Sequence, residues 1–210
     1  MHIEVLAVTK PTTVGGPEAV IVQAGRVCYR SRSDGDPGRF IKARIAEGHD
    51  SVLEHSCVTF EIGGISRACS HQLVRHRIAS YSQESQRYVD MTDPKFVVPP
   101  SIAENEGAMM IYRNFLEDVD AAYEDLRDLG ILKEDARFVL PNATATTIVV
   151  TMNFRALRNF IKTRLTAAAQ WEIREVARAM LWEVYPYAPN VFGDYYSMFI
   201  ADGSRVKVDA

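Results

Sequence analysis

Residues 71–89 read HQLVRHRIASYSQESQRYV. Upstream, Ser66 is a candidate N-cap, and a helix is expected from Ile65 to about Ile78. In such a helix Gln72 and Arg75 share a face, three residues apart, while His76 and Arg77 point to adjoining sides. From Ser80 the chain turns polar. If it is extended there, Gln83, Ser85 and Arg87 project to one side. Four arginines between residues 67 and 87 (Arg67, Arg75, Arg77, Arg87) are set against one acid, Glu84. Guanidinium forks match phosphate and carboxylate oxygens, and amides and hydroxyls can read a base edge. The set suits a nucleotide better than a metal. His71 and His76 are five residues apart, off a common helix face, and no carboxylate nearby completes a ligand set. Surface pairing of the arginines with the acidic stretch at 104–129 remains the blander arrangement.

That stretch carries eight acids against Arg113 and Arg127. Ile111, Phe115, Val119, Ala122, Leu126 and Leu129 recur at three- and four-residue steps, so it is expected to be an amphipathic helix with its acids in water and Gly130 as its stop. A second polar cluster is NFRALRNFIKTR at 153–164, a helix expected to be capped by Asn153. Arg155 and Asn159 share a face of it, whereas Arg164 falls about 180° away from Arg155. Two separate sites, an oligomer interface or a solvated helix face would each account for that arrangement.

Elsewhere, strands are expected at 3–8, 58–62 (closed by Gly63-Gly64), 96–98 and 146–152, the last with a buried helix as its alternative. Helices are expected at 18–27, 40–47, 133–140 and, last in the chain, 170–184, and a glycine-rich loop at 31–38. No repeat or composition break divides the 210 residues, which read as one α+β domain, 1–210. Hydrophobic residues make up 47% and charged ones 24%, the balance of a globular chain. No apolar run approaches the roughly 18 residues of a membrane span. MHIEVLAVTK lacks the features of a secretion signal, and three cysteines (Cys28, Cys57, Cys69) make neither a disulfide framework nor a zinc pattern, so a cytoplasmic location without membrane attachment is expected. A net charge of −3 argues against a bulk nucleic-acid binder. No G-x-G-x-x-G, G-x-x-x-x-G-K-[ST] or G-x-S-x-G motif is present, so neither a Rossmann nor a P-loop fold nor a hydrolase elbow is indicated.

RHR at 75–77, seven residues, then Ser85 forms the RHR-x7-S signature, and here the chain resembles the flavin-dependent thymidylate synthases. Further matches are GH and LEH within 48–55, ISR at 65–67, SYSQ-x-SQRYV at 80–89, ARFVLPNAT at 136–144, NFR at 153–155, WEIREVA at 171–177 and VFGDY at 191–195. The resemblance spans roughly residues 3 to 203. It implies a mixed α/β homotetramer, unlike the Rossmann fold, with active sites where subunits meet. It also implies reductive methylation of dUMP to dTMP, with 5,10-methylenetetrahydrofolate as one-carbon donor and NADPH as reductant through bound FAD. Matched motif by motif, Arg75, His76, Arg77, Asn153, Phe154, Arg155 and Asn159 are expected to hold FAD, with Ser51 touching it from a neighbouring subunit. Gln72, Leu73, Val74, Arg75, Glu84, Ser85, Gln86 and Arg87 are expected to hold dUMP, with Arg137 on its phosphate. Gln83 is expected between the two ligands, and Arg164 at the pyrimidine, as the catalytic cation.

Many members carry a histidine shortly after the arginine matched by Arg164; here the residues are Leu165-Thr166-Ala167-Ala168-Ala169. Two other readings compete. One is a non-catalytic nucleotide or RNA-binding module built on Arg75, Arg77 and Arg87. The other is a thymidylate synthase with a cysteine nucleophile, for which Cys28 is the candidate.

Overall fold

The computed structural model describes residues 1–12, 14–30 and 35–200. In chain order its elements are β1 (His2–Val8), α1 (Pro17–Tyr29), α2 (Pro37–Ala46), a 3-10 turn (Asp50–His55), β2 (Cys57–Ser66), α3 (Arg67–Leu73), β3 (Ser80–Gln83), α4 (Pro100–Ala103), α5 (Glu106–Asp128), α6 (Lys133–Ala136) with a 3-10 turn after it (Arg137–Val139), β4 (Ala145–Asn153), α7 (Phe154–Arg164), α8 (Trp171–Val184), a 3-10 turn (Tyr185–Tyr187) and α9 (Pro189–Phe199). Helices and strands are thus mixed along the chain. The strands form one sheet in the order β1-β2-β4-β3.

The chain divides into two compact units. The first comprises Met1–Ile62, Gln72–Ser82 and the described residues from Val149 onward; the second comprises Gly63–His71 and Gln83–Ile148. Neither is a continuous stretch. In the first unit α7 and α1 pack on the 3-10 turn at 50–55, and α8 packs on β1, α7 and α9. Its core holds Phe60, Ile62, Phe154, Phe160, Ile173 and Phe192, none with any exposed surface. In the second unit α5 packs with α4 and α6, around Met91, Tyr123 and Ala136. The Met91 N–H donates to the Tyr123 hydroxyl at 3.2 Å, which keeps that polar tip satisfied inside.

Several boundaries differ from expectation, each for a local reason. Of the loop expected at 31–38, residues 31–34 lie outside the described residues. Pro37 and Gly38 already belong to α2, because both Asp36 carboxylate oxygens accept backbone N–H groups (Gly38 3.0 Å, Arg39 3.2 Å) and Pro37 needs no donor partner at the first helical position. β2 does not stop at Gly63-Gly64. Gly64 takes φ of +71°, which L side chains rarely adopt, and the inside-outside alternation slips there so that both Ile62 and Ile65 are buried. A glycine bulge carries the strand on rather than closing it. α3 ends at Leu73, five residues early, so Arg75, His76 and Arg77 are not helical and do not share a face with Gln72. Ser85 to Val89 is a turn, with the Tyr88 and Val89 N–H groups donating to the Ser85 carbonyl, so Ser85 and Arg87 do not alternate as in a strand. Phe96–Val98 is reduced to an isolated bridge from Phe96 to Thr144.

α9 was not expected at all. Pro189, beyond the last expected helix, is its first residue. The Glu18 carboxylate of α1 accepts the Asn190 and Val191 N–H groups (2.7 and 3.2 Å) and so caps α9 from a distant part of the sequence. On α5 only the middle of the expected stripe is inside. Val119 is buried and Ala122 and Leu126 are half-buried, with Tyr123 buried beside them, while Ile111 is 70%, Phe115 49% and Leu129 78% exposed. Gly130, at φ +81°, ends the segment as expected. Ser66 caps α3 through the Cys69 N–H at 3.0 Å, and Asn153 caps α7 through the Ala156 N–H at 2.8 Å.

Candidate functional site

α7 shapes one wall of a cavity in the first unit. Phe154, Leu157, Phe160 and Ile161 bury one side of the helix. The other side carries Arg155, Asn159 and Lys162 into the cavity, of about 810 Å³. Asn153, Arg158, Asp50, Glu54, Tyr195 and the Arg75–Ile78 segment complete the wall. Five permanent cations therefore surround this space against two carboxylates. Arg155 is held by Glu54 at 2.5 Å. Arg158 is 8% exposed and forks onto Asp194 with contacts of 2.7 and 2.6 Å. It also donates to the Val191 carbonyl and lies 4.3 Å over the Tyr195 ring. Burial works against its charge, but the Asp194 hydrogen bonds and charge outweigh that and hold the guanidinium protonated.

The segment after α3 is positioned by Tyr81. Its hydroxyl sits 2.9 Å from the Leu73 carbonyl and 2.8 Å from that of His76, tying the helix end to the RHR segment. Burial pushes the Tyr81 phenol up to about 12, so it remains a donor. His76 lies edge-on to Phe160 with centroids 4.9 Å apart. Arg164 Nε donates to His76 Nε2 at 3.0 Å, and a guanidinium nitrogen donates to the Gln72 carbonyl at 3.4 Å. The opposite faces of α7 are thus joined in one protomer. His76 lines the cavity with Arg155 and Asn159, yet bonds Arg164. Burial, then the charge of Arg164, lowers the His76 imidazole below its ordinary 6.5.

Gln83 to Arg87 and Arg137 belong to the second unit. The Gln83 amide donates to the Ser70 and Thr146 hydroxyls (2.9 and 3.2 Å), which fixes its orientation. Glu84 accepts the Thr147 N–H at 3.3 Å. Arg87 is paired with Glu134 of α6 at 2.7 Å, and not with the acidic helix α5. Arg67 was not singled out as a ligand. It is half-buried and donates to the Glu84 carbonyl at 3.4 Å; burial, then the like charge of Arg137, lowers its affinity for its proton. The Glu84 charge works the other way, so the two guanidinium groups are partly neutralised there. ISR at 65–67 was the signal that could have found Arg67.

Other expected residues fall outside the cavity walls. The Phe154 side chain is fully buried, 5.2 Å from the Phe192 ring, and Leu73 is fully buried as well. Val74 and Gln86 are half-buried. Ser51 is exposed on its 3-10 turn and does not line the cavity of its own chain. Arg158, Lys162 and Tyr195 are cavity residues that the sequence reading passed over. Arg158 had a signal, since it is a cation on the apolar side of α7. Among the cysteines, Cys28 is exposed on α1 and lines a different cavity of about 590 Å³, with Ala19, Val20, Ala24 and Val27. Burial raises the Cys57 thiol, and Cys69 is inside. No described helix is long and apolar enough to cross a membrane.

Comparison with known proteins adds to this geometry. The family model described as thymidylate synthase complementing protein matches residues 9–190. The chain is 48% identical over 189 residues to a flavin-dependent thymidylate synthase of Geobacter sulfurreducens, covering 85% of this chain and 82% of that one. It is 41% identical over 214 residues to a flavin-dependent thymidylate synthase of Mycobacteroides abscessus, covering 92% and 85%. Among solved structures, it is similar to a flavin-dependent thymidylate synthase of Helicobacter pylori complexed with FAD and dUMP. The TM-score there is 0.77 at 26% identity, over 92% of this chain and 99% of that one.

Proposed function

The chain belongs to the flavin-dependent thymidylate synthase family, and on that premise we propose that it methylates dUMP to dTMP, with FAD bound, 5,10-methylenetetrahydrofolate as one-carbon donor and NADPH as reductant. The observation that carries this reading is the cavity on which Arg75, His76, Arg77, Asn153, Arg155 and Asn159 converge. Its donor set fits FAD. The cations suit a pyrophosphate, the asparagines suit a polar ring edge, and about 810 Å³ is in the range of cofactor pockets. Bound there, FAD supplies the hydride transfer.

The chain's own residues then bind and polarise the substrate. Uracil C5 is a poor nucleophile, and electron density must enter the ring before it takes a one-carbon fragment. Arg164 at the O2/N3 edge stabilises the developing anion, as a donor held in place beforehand. No covalent enzyme nucleophile is needed. Among the described residues Ser85 has no base as a hydrogen-bond partner, its Oγ accepting the Arg87 N–H, and it serves as a dUMP contact, together with Gln72, Leu73, Val74, Arg75, Gln83, Glu84, Gln86 and Arg87. The like charges of Arg67 and Arg137 support a phosphate beside Arg137. The buried Leu73 side chain leaves its backbone as the contact, and the same holds for Phe154 toward the cofactor.

We further propose a homotetramer in which Ser51 reaches the FAD of a neighbouring subunit. Two observations support this: Ser51 is exposed away from its own cavity, and Ile111 and Phe115 leave apolar surface on α5 uncovered. The two units are proposed to serve one catalytic domain, since each is made of discontinuous stretches.

Purified protein is expected to absorb in the flavin bands and to form dTMP only when dUMP, methylenetetrahydrofolate and NADPH are all present. A colourless protein that cannot be reconstituted with FAD overturns the reading. Cys28→Ala is expected to keep wild-type turnover in the same assay, because Cys28 lines a different cavity from the one that holds the RHR segment. Loss of dTMP formation in that variant would restore the cysteine-nucleophile alternative.

A further inference from the structure

His76 has one ring nitrogen committed. Arg164 Nε is a permanent donor, so the Nε2 atom 3.0 Å from it must carry a lone pair. The imidazole is then neutral, with its proton on Nδ1. Phe160 meets the ring edge-on at 4.9 Å, and Tyr81 holds the backbone of the same residue by donating to the His76 carbonyl at 2.8 Å. Phe160 and Arg164 are four residues apart on α7, so one helix face supplies both the platform and the guanidinium. The Gln72 carbonyl takes a second guanidinium nitrogen at 3.4 Å.

We propose that neutral His76 is a positioning residue that aims Arg164 at the pyrimidine, and that its protonation releases Arg164 and switches off methylation. This deepens the proposed function and rests on its assignment of Arg164. A protonated ring loses the acceptor that Arg164 uses and sets a second cation against it. The charged groups that line the cavity with it are cationic in the majority. From its own segment come Arg75 and Arg77. From α7 come Arg155, Arg158 and Lys162, besides Arg164 itself. The 3-10 turn offers Asp50 and Glu54, the latter engaged by Arg155 at 2.5 Å, and α9 offers Tyr195. Among the described residues no carboxylate bonds the imidazole, and burial and Arg164 both lower its affinity for a proton. The sign follows: the neutral, aiming form prevails at pH 7, and turnover falls as pH drops through a value below 6.5.

The test has two arms. In the full-length protein with 15N-labelled histidine, His76 is expected to show a protonated Nδ1 and an unprotonated Nε2 at pH 7.5 and to titrate below 6.5; in Arg164→Ala its titration is expected to move toward the ordinary value. A proton on Nε2 at pH 7.5, or a titration unmoved by Arg164→Ala, overturns the proposal without any use of activity. In the kinetic arm, kcat is measured per bound flavin across pH. His76→Phe is expected to lose about 100-fold, the scale of a misplaced catalytic group. His76→Gln, which keeps an acceptor near the Nε2 position but does not titrate, is expected to recover about tenfold or more of that loss and to lack the acid limb of the wild type. A His76→Gln profile that retains the limb, or a His76→Phe with wild-type kcat, overturns the proposal. Should Arg164→Ala itself turn over normally, the role of Arg164 fails, and the proposed aim of His76 fails with it even if the tautomer is as expected.

Discussion

Arg164→Ala is expected to lose dUMP methylation by about 10²- to 10³-fold while the protein stays yellow, the cost typical of removing one preorganised donor from a developing anion. The cause is local. Arg164 is tied to His76 and Gln72 and is not among the residues lining the cavity proposed for FAD. Its loss removes the cation from the pyrimidine edge and leaves Arg75, Arg77, Arg155 and Asn159 in place. The measurement is dTMP formation beside the flavin spectrum of the same preparation. If the colour disappears with the activity, Arg164 is holding the cofactor and its assigned role is wrong.

Asp194→Ala is expected to destabilise the fold by about 3 kcal/mol, at the low end of what it costs to strand a buried charge, because Asp194 itself is half in water. What the substitution leaves behind is Arg158, 8% exposed, bonded to the Val191 carbonyl and lying over the Tyr195 ring, with its bidentate carboxylate gone. Adding Arg158→Met should restore most of the lost stability, since an apolar chain of similar length does not need the carboxylate. Urea midpoints of the two variants check this, and equal destabilisation in both would show that packing, not a stranded cation, was lost. The pair also sets an acid limit. Burial works to raise the Asp194 carboxyl, but hydrogen bonds from Arg158 and its charge hold it below the ordinary 3.8. Its contribution is full above that value and disappears as pH falls through the lower folded one.

Strands and caps were largely legible from the sequence because they depend on neighbours in the chain. β4 alternates inside and outside along ATTIVVTMN, and Asn153 caps α7 three residues away. The end of α3 was not legible. Nothing in IASYSQ states that the Tyr81 hydroxyl will take the carbonyls of Leu73 and His76 and leave Arg75–Arg77 outside the helix. α9 was misread for the same kind of reason: its cap is Glu18, 172 residues from Asn190. That Arg158 of α7 is buried against Asp194, 2.6 Å away and 36 residues further along the chain, was likewise not legible.

By itself the sequence determined the residue types of the cluster, their grouping around RHR-x7-S and the period of α7, since composition and 3.6-residue repetition are properties of a one-dimensional string. Only the tertiary structure decided which of those residues share a cavity and that His76 spends its Nε2 on Arg164, 88 residues away. A hydrogen bond needs two atoms about 3 Å apart, and for distant segments that separation is set by how the helices and strands pack, not by their spacing along the chain.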